Sequence, residues 1–110
     1  MKGSDKQIKW ATDIKEAITW DGVNDHPIIT AAKTLICQND DASWWIDNRN
    51  RTGYSMIRSM LTGGLMISNR GNAKTAAIRK DGSAIDITWT EIIADGKGGH
   101  HEDKSQTITA

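Results

Sequence analysis

The first apolar pattern in the chain has the period of an α-helix. Over residues 4–20, Ile8, Ala11, Ile14 and Ile18 fall on one side, Trp10 widens that stripe, and Asp5, Lys9 and Asp13 follow one another at i,i+4 spacing on the opposite side. Ser4 and Gln7 have the spacing of a capping box at its start. A turn-rich stretch from Trp20 to His26 follows. Pro27 then suits the first position of a second helix over 27–38, whose core side is Ile28, Ala32, Leu35 and Ile36. Asn39, Asp40 and Asp41 end it and offer caps for a broken helical stretch over 42–61. That stretch comprises a short helix to about Asn48 and a renewed helical spacing through Tyr54, Ile57 and Leu61, with Arg51 and Arg58 on one face.

Gly63-Gly64 changes the period. Short β-like runs at 65–69, 75–80 and 84–93 are separated by Arg70-Gly71-Asn72 and by Asp81-Gly82, a dipeptide favoured in hairpin turns. The third run is the clearest: Ile85, Ile87, Trp89 and Ile93 alternate with Asp86, Thr88, Thr90 and Ile92, and Glu91 is the one misfit on the apolar side. Residues 94–105 are rich in glycine, histidine and charge and read as a loop; residues 106–109 read either as an edge strand or as a frayed end. The expected architecture is α+β, with helices first and a small antiparallel sheet second. A length of 110 residues fits a single domain spanning 1–110.

Charge adds a second level of organisation. Fourteen bases balance fourteen acids, which speaks against a uniformly basic nucleic-acid coat. The balance is not local, however. Residues 1–47 carry five lysines and eight acids, residues 48–80 carry seven bases and no acid, and residues 81–110 carry two lysines and six acids. The seven bases are Arg49, Arg51, Arg58, Arg70, Lys74, Arg79 and Lys80, and the planar guanidinium of the five arginines suits phosphate and carboxylate recognition. Two readings stay open: the bases pair with acids of the flanking segments, or they form an anion-binding face.

Five tryptophans, with no phenylalanine, carry most of the aromatic content. Trp10, Trp89 and one of the adjacent pair Trp44 and Trp45 are expected in the core. Neighbours on a helix point about 100° apart. Two readings of the other member stay open: it serves only the core as well, or it stands exposed near Arg49 and Arg51, where an indole can stack on a base or anchor a protein interface.

Catalytic and metal-binding patterns are weak. No Ser or Cys lies in a nucleophile elbow, no phosphate loop or dinucleotide fingerprint follows a strand, and no carboxylate pair is indicated, so no enzyme activity and no cofactor are expected. Cys37 falls near the core side of its helix. Gly98-Gly99-His100-His101-Glu102-Asp103 contains metal-ligand types, but neighbours in sequence rarely converge on one ion, and a solvated loop without metal is expected. The turn from Asn69 to Lys74 brings two bases and two amides to a tight bend that could grip phosphate.

Two stretches, Lys6-Gln7-Ile8-Lys9-Trp10-Ala11 and Trp44-Trp45-Ile46-Asp47-Asn48-Arg49, resemble uncharacterised small proteins of Gram-positive bacteria, their phages and mobile elements. The resemblance spans residues 4–50 and implies a genomic setting, with no catalytic residues. Small phage proteins of this kind commonly act by binding, including blocking host defence.

The functional expectation is a non-catalytic phage or mobile-element protein that binds nucleic acid or a nucleoprotein complex, and that inhibits a host-defence nuclease such as a CRISPR effector. The binding residues expected are Trp44, Trp45, Arg49, Arg51, Arg58, Arg70, Lys74, Arg79 and Lys80. One alternative is a protein-binding inhibitor or assembly factor that engages a host protein alone. Another is a site for a small phosphorylated ligand or nucleotide signal. No apolar run approaches membrane-spanning length, and the single cysteine and the absence of a signal-like start point to the cytoplasm of a bacterial host.

Overall fold

The computed structural model describes residues 1–67 and 73–109. Four helices, α1 (Asp5–Ala17), α2 (Pro27–Cys37), α3 (Ala42–Asp47) and α4 (Gly53–Thr62), precede four strands, β1 (Leu65–Met66), β2 (Lys74–Ile78), β3 (Ala84–Ile93) and β4 (His100–Thr109). The strands form one antiparallel sheet in the order β1-β2-β3-β4. The α+β architecture with helices first is the one the sequence pattern predicts. No helix of the described residues is long and apolar enough to cross a membrane.

Each helix starts where its capping chemistry places it. The Ser4 hydroxyl accepts from Gln7 N at 3.2 Å and the Gln7 side chain accepts from Ser4 N at 2.9 Å, closing the capping box. His26 Nδ1 accepts from Ile28 N at 3.1 Å just before Pro27. The Asp41 carboxylate caps α3 through Ser43 N, and Thr52 caps α4 through Ser55 N.

The helices cover one face of the sheet. Ala76 and Ile78 of β2 and Ile85 and Ile87 of β3 point into a core shared with Ala11, with Ile28, Ile29, Ala32 and Ile36 of α2, and with Met56, Ile57 and Met60 of α4. Asp86, Thr88, Thr90 and Ile92 alternate onto the other face, as the period of two requires. The five-residue connection from β2 to β3 turns at Gly82, whose φ of 70° is the left-handed conformation glycine adopts without strain.

Several expectations are corrected. Both Trp44 and Trp45 are buried, at 6% and 1% exposure. Their rings meet edge to face with centroids 4.9 Å apart, and each indole N–H finds a carbonyl: Trp44 Nε1 donates to Met66 O at 2.7 Å and Trp45 Nε1 to Asn39 O at 2.9 Å. Turning about 100° along a helix exposes one neighbour only if the helix has one covered side. Here α3 is covered on two, by α1 and by the start of the sheet. Trp10, expected in the core, is 49% exposed. On α4 the core side is Gly53, Met56, Ile57 and Met60, whereas Tyr54 and Leu61 are exposed.

Residues 100–105, read as loop, belong to β4, which pairs with β3 from Ala84↔Thr109 to Ile93↔His100. The loop is confined to 94–99. In β1 the strand ends at Met66, and the rest of the run expected over 65–69 extends past the described Ile67. Cys37 is half-buried.

Candidate functional site

The bases of the central segment do not form one face. Arg49 follows α3, where its Nη1 donates to Ile46 O at 2.8 Å, and its guanidinium lies 5.7 Å from the Trp10 ring centroid. Arg51 precedes α4. Its side chain donates forward to Ser59 Oγ on α4 and back to Asn48 Oδ1, so it is held by α4 from outside the helix rather than sharing a helix face with Arg58. Trp10, Ile14, Ile18, Arg49, Arg51 and Thr52 line an open cleft of about 440 Å³ between the end of α1 and the 49–52 connection.

The cleft is shaped by a close approach beneath it. Gly53 N donates to Thr19 O at 2.8 Å, and the six-membered ring of Trp20 rests directly on Gly53. Lys33 covers Trp20 with its ammonium 4.9 Å from the ring centroid. Residues 18–24 therefore run across the N-terminus of α4, with the Trp10 cleft on one side and a second, smaller groove on the other.

That groove, about 130 Å³, lies between α4 and the turn at Gly22–Asn24. Its walls are Val23, Ile29, Tyr54, Ile57 and Leu61, and Arg58 stands at its rim. Lys80, in the β2–β3 turn, borders Leu61 from the sheet side in an adjoining depression that also includes His26.

The remaining bases lie on the sheet. Lys74 is on the helix-covered face, its ammonium 4.6 Å from the Trp89 ring, and Trp89 Nε1 donates to Glu91 Oε1 at 2.9 Å. Arg79 is on the opposite face and grips Asp86 with two hydrogen bonds of 3.0 Å. Those hydrogen bonds hold the Asp86 carboxyl below its usual range, with Thr107 adding a third, and raise the Arg79 guanidinium. Arg70, and with it most of the phosphate-gripping turn expected from Asn69 to Lys74, lies outside the described residues.

Of the two readings of the charge pattern, pairing with the flanking acids thus holds for Arg79. Among the described residues, no carboxylate lies within ion-pair distance of Arg49, Arg51, Arg58, Lys74 or Lys80.

At the far end of the sheet His100 bridges two acids, with Nδ1 3.1 Å from Asp95 Oδ2 and Nε2 3.0 Å from Glu102 Oε1. Asp95 also accepts from Lys97 N and Gly99 N. These bonds close the 94–99 loop, and among the described residues no group of three or more His, Cys, Asp or Glu is arranged to hold a metal ion.

An exposed indole beside Arg49 and Arg51 is one of the two readings the sequence leaves open for the Trp44–Trp45 pair; both of that pair are buried, and Trp10 is the indole in this position. Trp10 is offset by about 100° from Ala11, the buried residue of α1, and so stands at the rim of the apolar stripe. Tyr54 and Leu61 flank Arg58 at i−4 and i+3, so the same helical spacing that suggested a core face builds an exposed one. No protein-family model, curated protein or solved structure matches the chain.

Proposed function

We propose that this protein is a non-catalytic binding protein that engages single-stranded nucleic acid, alone or within a nucleoprotein complex, at the cleft of Trp10, Arg49 and Arg51. The observation that carries this reading is the half-exposed Trp10 ring with the Arg49 guanidinium over it and Arg51 in the same cleft. A base stacks on the indole in place of the Arg49 guanidinium, a contact worth about 1–3 kcal/mol, and the displaced Arg49 and the remaining donors of Arg51 take the flanking phosphates. A single strand fits better than a duplex, because only an unstacked base presents its face to a tryptophan. The resemblance to small phage proteins supports a role by occupancy, as in an inhibitor that fills the nucleic-acid path of a host-defence nuclease.

Fluorescence anisotropy of labelled single-stranded DNA, single-stranded RNA and duplex DNA across a salt series tests this reading. Two phosphate contacts give a log–log salt slope of about −1.4 for a single strand, and Arg49→Glu flattens it by about 0.7 or more. Trp10→Ala weakens binding by about tenfold or more without changing the slope. Absence of binding at low salt overturns the reading.

A second reading is a protein-binding inhibitor. It is favoured by the exposed pair Tyr54 and Leu61 flanking Arg58, the residue types and arrangement of an interface anchor. Under it Leu61→Glu, and not Trp10→Ala, abolishes partner capture.

A further inference from the structure

The sheet has two unlike ends. β2 pairs with β3 only as far as Lys74↔Trp89, so Thr90–Ile93 and His100–Asp103 project past it as a two-stranded arm. The projection shows in the dimensions of the molecule: extents of 50 × 40 × 18 Å and a Cα radius of gyration of 15.2 Å, against about 13 Å for a compact chain of this length. The groove beside Arg58 and Leu61 lies towards the other end, where Leu61 shares a depression with the β2–β3 turn at Lys80 and Gly82. Between the two ends β3 runs ten residues, a span of about 30 Å. The arm therefore cannot fold back into the groove of its own chain.

The two ends are complementary. Ile92, 72% exposed, is an apolar knob on the outer face of the arm. On that same face, diagonal to Ile92 across the strand pair, stands Asp103, whose carboxylate accepts from Thr90 Oγ1 and has no cation within ion-pair distance among the described residues. The groove offers the converse: apolar walls from Ile29, Tyr54, Ile57 and Leu61, a volume of about 130 Å³, and Arg58 at the rim without a carboxylate partner among the described residues. That volume suits one aliphatic side chain and falls below the roughly 300–1,000 Å³ of small-molecule sites. Arg58 is the one charged residue among the described lining of the groove, and Asp103 is the one acid on the Ile92 face of the arm. A chain of net charge zero, with both halves of a contact placed where it cannot join them itself, is complementary to another copy of itself.

We infer that this protein associates with a second copy of itself, the arm of each protomer seating Ile92 in the Tyr54–Leu61 groove of the other and bringing Asp103 to Arg58. Exchange of two equivalent contacts gives a closed, antiparallel dimer about a twofold axis. The contact is separate from the Trp10 cleft and does not depend on the function proposed for it.

Sedimentation velocity of the full chain, from low micromolar to millimolar concentration, tests this. The wild type passes from 12.1 kDa towards twice that mass as concentration rises. Ile92→Asp, Arg58→Glu and Asp103→Arg, all at exposed positions, each weaken association by about tenfold or more, the scale of a hot-spot substitution. An equimolar mixture of Arg58→Glu and Asp103→Arg chains regains it, because that pair has one native and one charge-reversed contact and no like-charge contact. Circular dichroism confirms that each variant is folded. A wild type that stays monomeric throughout overturns the inference and leaves the groove to a different protein. Association that all three variants leave unchanged overturns it equally.

Discussion

The six-membered ring of Trp20 rests on the α-carbon of Gly53, the first residue of α4, with no space for a side-chain carbon between them. This approach lets the 18–24 segment cross the helix start and separate the Trp10 cleft from the Arg58 groove. It also reverses a usual rule. In an ordinary helix Gly→Ala is stabilising by up to about 1 kcal/mol. Here Gly53→Ala drives a carbon into the indole, and the expected outcome is a net loss of about 1–3 kcal/mol in urea denaturation. Combining it with Trp20→Leu recovers part of that loss, because the two sites are in contact.

Trp44 and Trp45 belong to the core. Trp44→Phe keeps an aromatic ring but removes the N–H that satisfies Met66 O, and should cost about 1–3 kcal/mol of stability. Trp45→Phe removes the buried hydrogen bond that its indole N–H donates to Asn39 O, at a cost of about 1 kcal/mol. Neither change should alter the nucleic-acid affinity of the folded fraction, which separates these residues from Trp10.

Trp10 contributes little to stability by the same reasoning. Half of it is solvated, and its cation–π contact with Arg49 is worth about 0.5–1 kcal/mol at an exposed site. Trp10→Ala should shift the unfolding free energy by about 1 kcal/mol while removing the most accessible component of tryptophan emission, as read by acrylamide quenching.

The acid limb of stability has a definite sign. Hydrogen bonds from Arg79 hold Asp86 below the usual carboxylate range; Ser83 does so for Asp81, Lys97 N and His100 for Asp95, and His100 and Lys104 for Glu102. A carboxylate whose pKa is lower when folded binds fewer protons in the folded state. Its contribution is present above the unfolded value of about 4 and is lost as pH falls through the folded one. Thermal midpoints should therefore decline below about pH 4. Asp86→Asn should lower the midpoint at neutral pH and flatten that decline. Because these groups are exposed, the neutral-pH loss should be small and should shrink further in high salt.

The elements legible in the sequence were those whose signal is local. Ser4 with Gln7, Pro27, and the alternation from Ile85 to Ile93 each act within a few residues, so each places its helix or strand without reference to the rest of the chain. β4 lacks such a signal. His100 to Thr109 contains one apolar residue at a half-buried position, Ile108, and is a strand because β3 supplies its hydrogen bonds. Charged side chains along it are what an unpaired sheet edge calls for, and in isolation they read as loop.

The candidate site divides in the same way. The excess of bases over 48–80 follows from residue types in order along the chain. Which indole is exposed does not, because burial depends on how many sides of a helix are covered. α3 lies between α1 and the sheet and loses both tryptophans to the core, while α1 packs on one side and leaves Trp10 at its rim. The sequence alone determined the α+β order, the helix starts and the segregation of charge, since these depend on neighbours within one or two turns. Only the tertiary structure decided that the bases are spread over a cleft, a groove and both faces of the sheet, because strand alternation and layer packing place residues adjacent in sequence on opposite sides of the molecule.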